Sequence, residues 1–237
     1  MKQPDEIAKI AYINYSSTTP WPKKDIWHEH THKSIASIVE QWLVKYSNSQ
    51  MLILNAGSGG TEYKANAKMI HLDIIEKYIS HFENHLVGSV EKINLPSNSL
   101  DGIICVGSVI NYADAQRTIS EFSRLLKTGG FLILEFERSN SAEFLWTSQY
   151  NKYIFQKEYI YNNQKHLLWM YSEKHLLHTL KQYKIKIRSI KRIHILSSLL
   201  YRIGMTEQKA APFSKYDYLC KCVSSPLAHN TILLGFK

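Results

Sequence analysis

A short apolar run that opens into a glycine-rich loop is the feature that most constrains the fold of this chain. Residues 51–54 are all apolar, Asn55 follows, and residues 57–60 (Gly-Ser-Gly-Gly) allow a tight turn of the backbone. A second apolar step, residues 69–72, ends in the lone carboxylate of Asp73. In α/β sheets, neighbouring strand ends of this kind hold nucleotide-like ligands, with the carboxylate accepting hydrogen bonds from ribose hydroxyls. The pattern therefore predicts a nucleotide-type site.

Apolar strand patterns and amphipathic helix patterns alternate from residue 51 to residue 136. Residues 101–107 and 131–134 are the further apolar runs, and both are typical of parallel strands that are covered on both faces. This alternation predicts an α/β fold with a doubly wound parallel sheet, whose sites lie beyond the carboxyl ends of the strands. Thr231 to Lys237 is expected to add an antiparallel closing strand.

Several local expectations accompany this fold. Residues 1–22 are expected to form an irregular arm, followed by a helix that Asp25 caps. Only 13 residues separate Gly59 from Asp73, too few for the usual crossover helix. A helix over 115–126 is expected to end at Gly129-Gly130.

The later part of the chain carries three further expectations. Residues 138–164 are expected to be irregular and to cross the top of the sheet. Ser172 is expected to cap a helix. Residues 184–188, which alternate between charged and apolar side chains, are expected to form a strand near the sheet edge.

The charge of the chain is unevenly distributed. Residues 151–237 carry 15 Lys and Arg against 4 Asp and Glu, out of a net charge of +9 for all 237 residues. A basic half indicates either an anionic partner, such as an acidic metabolite or nucleic acid, or simply a lysine-rich solvated surface. No apolar run reaches the roughly 20 residues of a membrane span, and a signal peptide is not expected. The three cysteines form no disulfide framework, Cys105 is expected in the core, and a cytoplasmic location is expected.

The glycine loop does not fit the dinucleotide fingerprint G-x-G-x-x-G, because Glu62 occupies the last position. Its spacing resembles motif I of the class I S-adenosylmethionine (SAM)-dependent methyltransferases, with Asn55 in place of the acid and Thr61 in place of the third glycine. The resemblance continues through residues 88–101, where Ser89 stands for the acid that reads adenine, and through residues 121–134. It covers roughly residues 51–136, and the domain resembles the small-molecule methyltransferases of ubiquinone and menaquinone biosynthesis.

The resemblance implies SAM as cosubstrate, S-adenosylhomocysteine (SAH) as product, and a mostly parallel seven-stranded sheet with helices on both faces. It divides the chain into an arm and cap helix (1–48), the SAM-binding core (49–137), and an acceptor-side cap with closing strands of the same domain (138–237). In this reading Asp73 binds ribose, and Ile74 and Val90 flank adenine. The implied cofactor-binding residues are Asn55, Ala56, Gly57, Ser58, Gly59, Asp73, Ile74, Ser89, Val90, Gly107 and Ser108.

Three side chains are candidates for catalysis. His28-Glu-His-Thr-His32 fits the zinc motif H-E-x-x-H, but no third ligand is evident, and no metal is expected. His28 and His32 share one helix face, where a neutral imidazole is a suitable general base. Tyr112, which follows the fourth strand, is the other candidate. Tyr12, Tyr15, Trp21 and Trp27 are expected either to pack or to form an aromatic lid.

Three functions stay open. The first is methyl transfer to an oxygen of a small metabolite or of a glycan-like acceptor, for which the segment from Pro226 resembles methyltransferases of bacterial surface-polysaccharide clusters. The second is nucleic-acid methylation, favoured by the basic half, although Ser108-Val-Ile-Asn111 differs from the N-P-P-Y tetrad of amine methylation. The third is a noncatalytic SAM-binding protein. The oligomeric state is not predicted.

Overall fold

The computed structural model describes residues 4–18, 25–161, 164–219 and 225–237. The α-helices are α1 (Pro4–Ser17), α2 (Ile26–Tyr46), α3 (Glu76–Ile79), α4 (Ala115–Leu125), α5 (Glu173–Gln182), α6 (Ile195–Arg202) and α7 (Glu207–Ala210). The strands are β1 (Leu52–Ala56), β2 (Lys68–Asp73), β3 (His85–Val87), β4 (Leu100–Cys105), β5 (Leu126–Glu137), β6 (Ile154–Tyr161), β7 (Gln164–Tyr171), β8 (Lys186–Ile193) and β9 (Asn230–Phe236). Short 3₁₀ helices cover Val109–Tyr112, Ala142–Phe144, Ala211–Leu219 and Ser225–Leu227.

Seven of the strands form one sheet in the order β3-β2-β1-β4-β5-β9-β8. Strands β1 to β5 are parallel to one another, whereas β9 pairs antiparallel with both β5 and β8. The α/β, doubly wound, mostly parallel sheet is therefore confirmed, as is its antiparallel last strand. β8 lies at the sheet edge, as predicted, although it begins at Lys186 rather than at residue 184. Lys186, Arg188 and Lys191 are exposed there, whereas Arg192 is only partly exposed and pairs with Glu173.

Helices cover both faces of the sheet, as the apolar strands require. α2 buries Ile35 and Val39 against one face. α4 and α5 bury Phe122 and Leu180 against the other. Two contiguous apolar clusters, one on each face, hold the three layers together.

Three local predictions are confirmed. Asp25 caps α2, since its side chain accepts a hydrogen bond from the backbone N of His28 at 3.1 Å. Ser172 caps α5 by accepting from the backbone N of His175 at 3.2 Å. Residues 57–67, which join β1 to β2, contain no helix.

The prediction of an irregular arm over residues 1–22 is wrong for Pro4–Ser17, which forms α1. Ile7, Ala11 and Asn14 follow the helical spacing and are all buried. Proline is tolerated in the first turn because the amide hydrogen that it lacks has no partner within the helix there. Residues 1–3 and 19–22 lie outside the described residues.

The glycine pair Gly129-Gly130 does not end α4, contrary to the prediction. α4 ends at Leu125, and both glycines lie within β5. At Gly130 the backbone passes so close to the carbonyl oxygen of Asp101 that a Cβ would lie 3.1 Å from it. Close backbone approach therefore explains Gly130, whereas Gly129 adopts a φ of +84°, a conformation that favours glycine.

Residues 154–161 were predicted to be irregular but form β6, which pairs with β7 in a separate antiparallel hairpin. The hairpin buries Phe155, Leu168 and Met170 against Phe144, whose backbone lies in the preceding 3₁₀ helix. This small cluster gives a polar, tyrosine-rich segment enough apolar contact to order it.

Cys105 is buried in β4, as predicted, whereas Cys220 and Cys222 fall outside the described residues. None of the helices in the described ranges is both long enough and apolar enough to cross a membrane.

Gly102 sits directly opposite Phe131 in the pairing of β4 with β5. A Cβ at this position would overlap the Phe131 ring. We expect Gly102→Ala to lower the free energy of unfolding by about 1–3 kcal/mol, the usual cost of overpacking. Chemical denaturation measures this change. Gly88→Ala is the matched control, because its new methyl would lie 3.7 Å from Leu72, an ordinary contact. Equal effects of the two substitutions would contradict the overlap.

Candidate active site

The carboxyl ends of the central strands open into one cavity. The strand order reverses between β1 and β4, which is the switch point where doubly wound sheets bind ligands. We call the wall near β1, β2 and β3 the loop side; it contains the glycine loop. The opposite wall is the cap side, which is formed by α1, α2, the β6–β7 hairpin, α6 and α7 together with Tyr112, Glu137, Glu143 and His229.

The glycine loop is held against the end of β2. The backbone N–H groups of Gly57 and Ser58 both donate to the carbonyl oxygen of Leu72, at 2.8 and 2.9 Å. Gly57 has a φ of +72°, and a Cβ there would overlap Val109. A side chain at this position would therefore distort the floor of the cavity.

Asn55 fixes the far end of this loop. Its Nδ2 donates to the carbonyl oxygen of Thr61 at 2.8 Å and lies 3.3 Å from Oγ of Ser58. Ser58 in turn bonds to Nδ1 of His71 at 3.0 Å. A carboxylate at position 55 could not donate these hydrogen bonds, which gives a physical reason for asparagine in place of the acid.

Asp73, the last residue of β2, points into the cavity. Its Oδ2 accepts from the backbone N of Gly59 at 2.7 Å, and its Oδ1 accepts from the backbone N of Ile75 at 2.9 Å. Burial raises the pKa of Asp73, and these two hydrogen bonds partly oppose the rise. Because each carboxylate oxygen has two lone pairs, the group can still accept from a diol.

Ile74, Ser89 and Val90 line the same cavity as Asp73, and their contact with adenine stays a prediction. Oγ of Ser89 accepts from the backbone N of Glu91 at 3.1 Å. Glu91 also lines this wall, although the sequence did not single it out. The loop side thus offers two apolar surfaces with polar groups at their edges. Ala56 is fully buried and is not part of the wall.

The end of β4 is shaped by a carboxylate that the sequence analysis missed. The backbone N–H groups of Gly107 and Ser108 donate to Oε2 of Glu135 at 2.9 and 2.6 Å, and Nδ2 of Asn230 donates to Oε1 at 2.6 Å. Burial raises the pKa of Glu135 to about 7 against the opposing effect of these bonds. The sequence does contain a signal for Glu135, because it follows the apolar run 131–134 as Asp73 follows residues 69–72.

A buried imidazole joins two carboxylates on the cap side. Nε2 of His229 lies 3.5 Å from Glu137, and its Nδ1 lies 3.1 Å from Glu143. Burial alone would lower the pKa of His229, but the two carboxylates raise it to about 10, so the ring is a cation at neutral pH. Oε1 of Glu137 also accepts from Oγ of Ser108 at 2.8 Å, and Oε1 of Glu143 accepts from the hydroxyl of Tyr159 at 2.7 Å.

Tyr112 lines the cavity from the 3₁₀ helix that follows β4. Its hydroxyl lies 3.2 Å from the hydroxyl of Tyr15 on α1 and 3.1 Å from Nδ1 of His166 on β7. Tyr112, one of the three predicted catalytic candidates, therefore has a possible proton acceptor, the buried imidazole of His166, within hydrogen-bond distance.

Of the two candidate histidines on α2, one lines the cavity and the other does not. His28 lines the cavity and bonds through Nδ1 to Oδ2 of Asp25 at 2.7 Å, whereas His32 is not part of the cavity wall. Trp27 and Thr31 also line the cavity from α2, whereas His32 lies one turn beyond His28 along the helix. The described residues contain no cluster of three His, Cys, Asp or Glu side chains that could hold a metal ion.

Two of the four predicted lid aromatics face the cavity. Tyr15 and Trp27 line it, whereas Tyr12 is about half exposed and does not. Trp21 lies outside the described residues. The Trp27 ring stacks on His194 at 4.3 Å between centroids and meets His229 edge-on at 5.7 Å, which fixes it on the cap side.

Charged side chains on the cavity wall are mainly acidic. Among the described residues, no Lys or Arg lines the cavity. The acids that line it are Asp73, Glu91, Glu137, Glu143 and Glu207. The excess of basic residues in the second part of the chain therefore does not extend into the cavity.

The loop side fits SAM. The buried carboxylate of Asp73 is a suitable acceptor for a ribose diol, the glycine loop lines the cavity with backbone, and Ile74 and Val90 give apolar surface for a base. These groups are those that a nucleoside with an amino-acid tail requires. The fold and the site thus define a SAM-binding α/β protein.

Comparisons with known proteins agree. Residues 54–134 match the family model of the methyltransferase domain. The chain is similar to 1,6-didemethyltoxoflavin-N1-methyltransferase of Burkholderia thailandensis, solved with its acceptor and SAH (TM-score 0.63, 13% identity, covering 100% of this chain and 91% of that one). It is also similar to geranyl diphosphate C-methyltransferase of Streptomyces coelicolor A3(2) (TM-score 0.59, 12% identity, covering 98% of this chain and 97% of that one). A third similar structure is a SAM-dependent methyltransferase of Archaeoglobus fulgidus (TM-score 0.55, 14% identity, covering 86% of this chain and 94% of that one). No curated protein sequence matches.

The chain thus contains a methyltransferase domain over residues 54–134, on the sheet topology of the class I SAM-dependent methyltransferases. It is an enzyme of this type, and SAM is its methyl donor. The closer likeness to quinone-biosynthesis methyltransferases stays a prediction.

Proposed function

We propose that the protein transfers the methyl group of SAM to an oxygen atom of a small acceptor bound on the cap side. One observation carries this proposal: a single cavity runs from Asp73 on the loop side to Tyr159 and His229 on the cap side. The cap elements wall off the space next to the cosubstrate site, which suits a metabolite-sized molecule better than a polymer.

The work of the protein in such a reaction is mainly positioning. Bound SAM supplies an already activated methyl group. Asp73 and the backbone of Gly57 would hold the nucleoside and its tail, and Glu137 with Ser108 would orient the acceptor near the end of β4. Alignment of two reactants in this way lowers a barrier by about 7–11 kcal/mol in favourable cases.

The charge of the cavity bears on the acceptor. Because its wall carries carboxylates and, within the described ranges, no Lys or Arg, the site favours a neutral or cationic acceptor over an anionic one. Lysines and arginines of β8, including Lys186, Arg188 and Lys191, are exposed at the sheet edge instead. Nucleic-acid methylation stays a prediction, and a steep salt dependence of RNA binding would support it.

The proposal is tested by incubating the protein with methyl-tritiated SAM and a panel of hydroxylated, aminated and carboxylated small molecules, together with total RNA. We expect SAH formation and labelled product only with hydroxylated small acceptors. The label must be located by mass spectrometry, because two of the similar structures are an N- and a C-methyltransferase. Label on nitrogen, on carbon or on RNA would contradict oxygen transfer, and no transfer to any acceptor would favour noncatalytic SAM binding.

A further inference from the structure

Three side chains from distant parts of the chain form a continuous hydrogen-bonded chain on the cap side. The hydroxyl of Tyr15 lies 3.2 Å from that of Tyr112, which lies 3.1 Å from Nδ1 of His166. α1, the 3₁₀ helix after β4, and β7 each contribute one member. All three residues line the cavity.

His166 differs from the other buried imidazole of the cavity wall in its charge. His166 is 2% exposed, and burial lowers its pKa, so its neutral form predominates at pH 7. His229 is held as a cation by two carboxylates. Environments that push the pKa values of two similar groups apart commonly separate a proton acceptor from a fixed charge. The neutral ring is thus suited to accept a proton, and the cation is not.

The alternative acceptors on the cap side are less suitable. Burial would raise the pKa of Glu137, but His229 and the Ser108 hydroxyl hold it below its ordinary value, so its carboxylate is a weak base. Burial raises the pKa of Tyr15 to about 12, so Tyr15 stays protonated and can donate to the oxygen of Tyr112.

We propose that Tyr112 and His166 form a proton relay for the acceptor: Tyr112 takes the acceptor hydroxyl proton while passing its own proton to Nδ1 of His166. The inference rests on the proposed oxygen methylation. The acceptor O–H bond breaks and its electron pair forms the new O–CH₃ bond, while the S–CH₃ pair stays on sulfur. One proton moves to Tyr112 and another moves on to His166, so the relay ends as neutral tyrosine and imidazolium. Tyr112 is the catalytic member, and His166 acts through it.

The surroundings of His166 are compatible with this transient charge. Tyr159 is its register partner across the hairpin, and Nδ2 of Asn14 binds the carbonyl oxygen of the adjacent Lys165 at 2.8 Å. The ring of Tyr15 packs edge-on against it at 5.3 Å between centroids. A proton on His28 of α2 would repel one on His166, which favours the neutral ring at rest.

The first test needs no acceptor. ¹⁵N NMR of histidine-labelled protein, with His166→Gln for assignment, reports the tautomer and the titration of His166. We expect Nδ1 to be unprotonated at neutral pH. We also expect Tyr112→Phe to raise the pKa of His166, because a hydrogen bond to the neutral form is lost. A proton on Nδ1 at neutral pH, or a titration that Tyr112→Phe leaves unchanged, would overturn the relay.

The second test uses 4-nitrophenol as a probe whose ionisation is visible by absorbance. Added to the SAH complex at a pH where the free probe is mostly un-ionised, it is expected to pass its proton through Tyr112 to His166 in the wild type and to absorb as the phenolate, while the bound pair of phenolate and imidazolium stays neutral overall. This ionisation should fall at least tenfold in Tyr112→Phe and His166→Gln. The matched control is His175→Gln, since burial also lowers the pKa of His175, which lies on α5 outside the cavity wall. Binding without ionisation, or no binding at all, would overturn the relay.

Separate measurements can refute the proposed oxygen methylation and the proposed proton relay. Calorimetry of SAH with the same variants reports cosubstrate binding, and we expect it to be unchanged in all of them. With an acceptor in hand, His166→Gln should slow transfer to un-ionised hydroxyls by about 10²- to 10⁴-fold and leave transfer to an ionised phenol nearly unchanged. A product methylated on carbon or nitrogen would refute the proposed function, whereas equal losses for both acceptor forms would refute only the relay.

Discussion

Replacement of Asp73 by alanine is expected to weaken SAH binding about 100-fold, or about 3 kcal/mol. Hydrogen bonds to a charged group contribute about 1.5–3 kcal/mol each, and the variant would lose those to the ribose hydroxyls. It would also release Gly59, whose backbone N now donates to Oδ2 at 2.7 Å, and so loosen the glycine loop. Calorimetric titration of SAM and SAH into wild type and variant measures the loss.

Asp101→Ala is the matched control for this substitution. Asp101 likewise accepts from a backbone N, that of Leu52 at 2.9 Å, and from Lys127 at 2.7 Å. It lies at the start of β4, at the opposite edge of the sheet from the cavity. We expect it to lower stability while SAH affinity stays within about twofold. Asp73→Asn separates charge from shape, and unchanged affinity in both Asp73 variants would refute the ribose assignment.

Replacement of Glu173 by glutamine is expected to lower the free energy of unfolding by about 3–5 kcal/mol. Glu173 binds Arg192 through both oxygens at 2.6 and 3.0 Å, accepts from Thr231 at 2.8 Å, and lies 3.7 Å from Nε of Arg138. Arg138 is only 1% exposed, so the substitution would leave a buried guanidinium without its carboxylate. Removal of one member of a buried pair has this large effect because the remaining charge is uncompensated.

The lowered pKa of Glu173 determines how its contribution to the free energy of unfolding changes with pH. Burial would raise the pKa of Glu173, but the bond from Arg192 and the charge of Arg138 hold it below its ordinary value. The stabilisation is therefore present above the unfolded pKa of about 4.3 and is lost as pH falls through the lower folded value. Urea denaturation between about pH 7 and pH 3 should show the difference between wild type and Glu173→Gln shrinking on the acid side.

Glu158→Gln provides the comparison, because Glu158 pairs with Lys165 at 3.1 Å with both side chains more than half exposed. We expect it to change stability by less than about 1 kcal/mol. Similar effects of the two glutamate substitutions would show that the Glu173 network adds nothing beyond a surface pair.

The loop side could be predicted from sequence because each of its residues is close to a strand end. Asn55 and Asp73 are separated by one short connection, and parallel pairing of β1 with β2 brings their strand ends together. Asp25 as a helix cap and the missing crossover helix are local in the same sense. Interactions between residues a few positions apart, or between the ends of consecutive parallel strands, can be predicted directly from the pattern of apolar and polar residues.

The cap side could not be predicted because its contacts join distant segments. Glu143 and His229 meet only because β9 returns beside β5, and neither residue belongs to a local pattern. The same holds for Tyr112 and His166, which the hairpin brings together. The polar residues 15–19 (Tyr-Ser-Ser-Thr-Thr) made the end of α1 look irregular. The stability of α1 depends on burial of Ile7 and Ala11, which helix propensity does not reveal.

The position of β9 has a consequence for how the protein is made. β9 lies between β5 and β8, yet the ribosome synthesises it after both. At about 5–20 residues per second, β5 and β8 emerge several seconds before residues 230–236 and expose two unpaired strand edges during that interval. Such edges recruit other chains. Aggregation during synthesis should therefore depend on how quickly this last strand arrives, and His229 and Asn230 can complete the cap side only when it does.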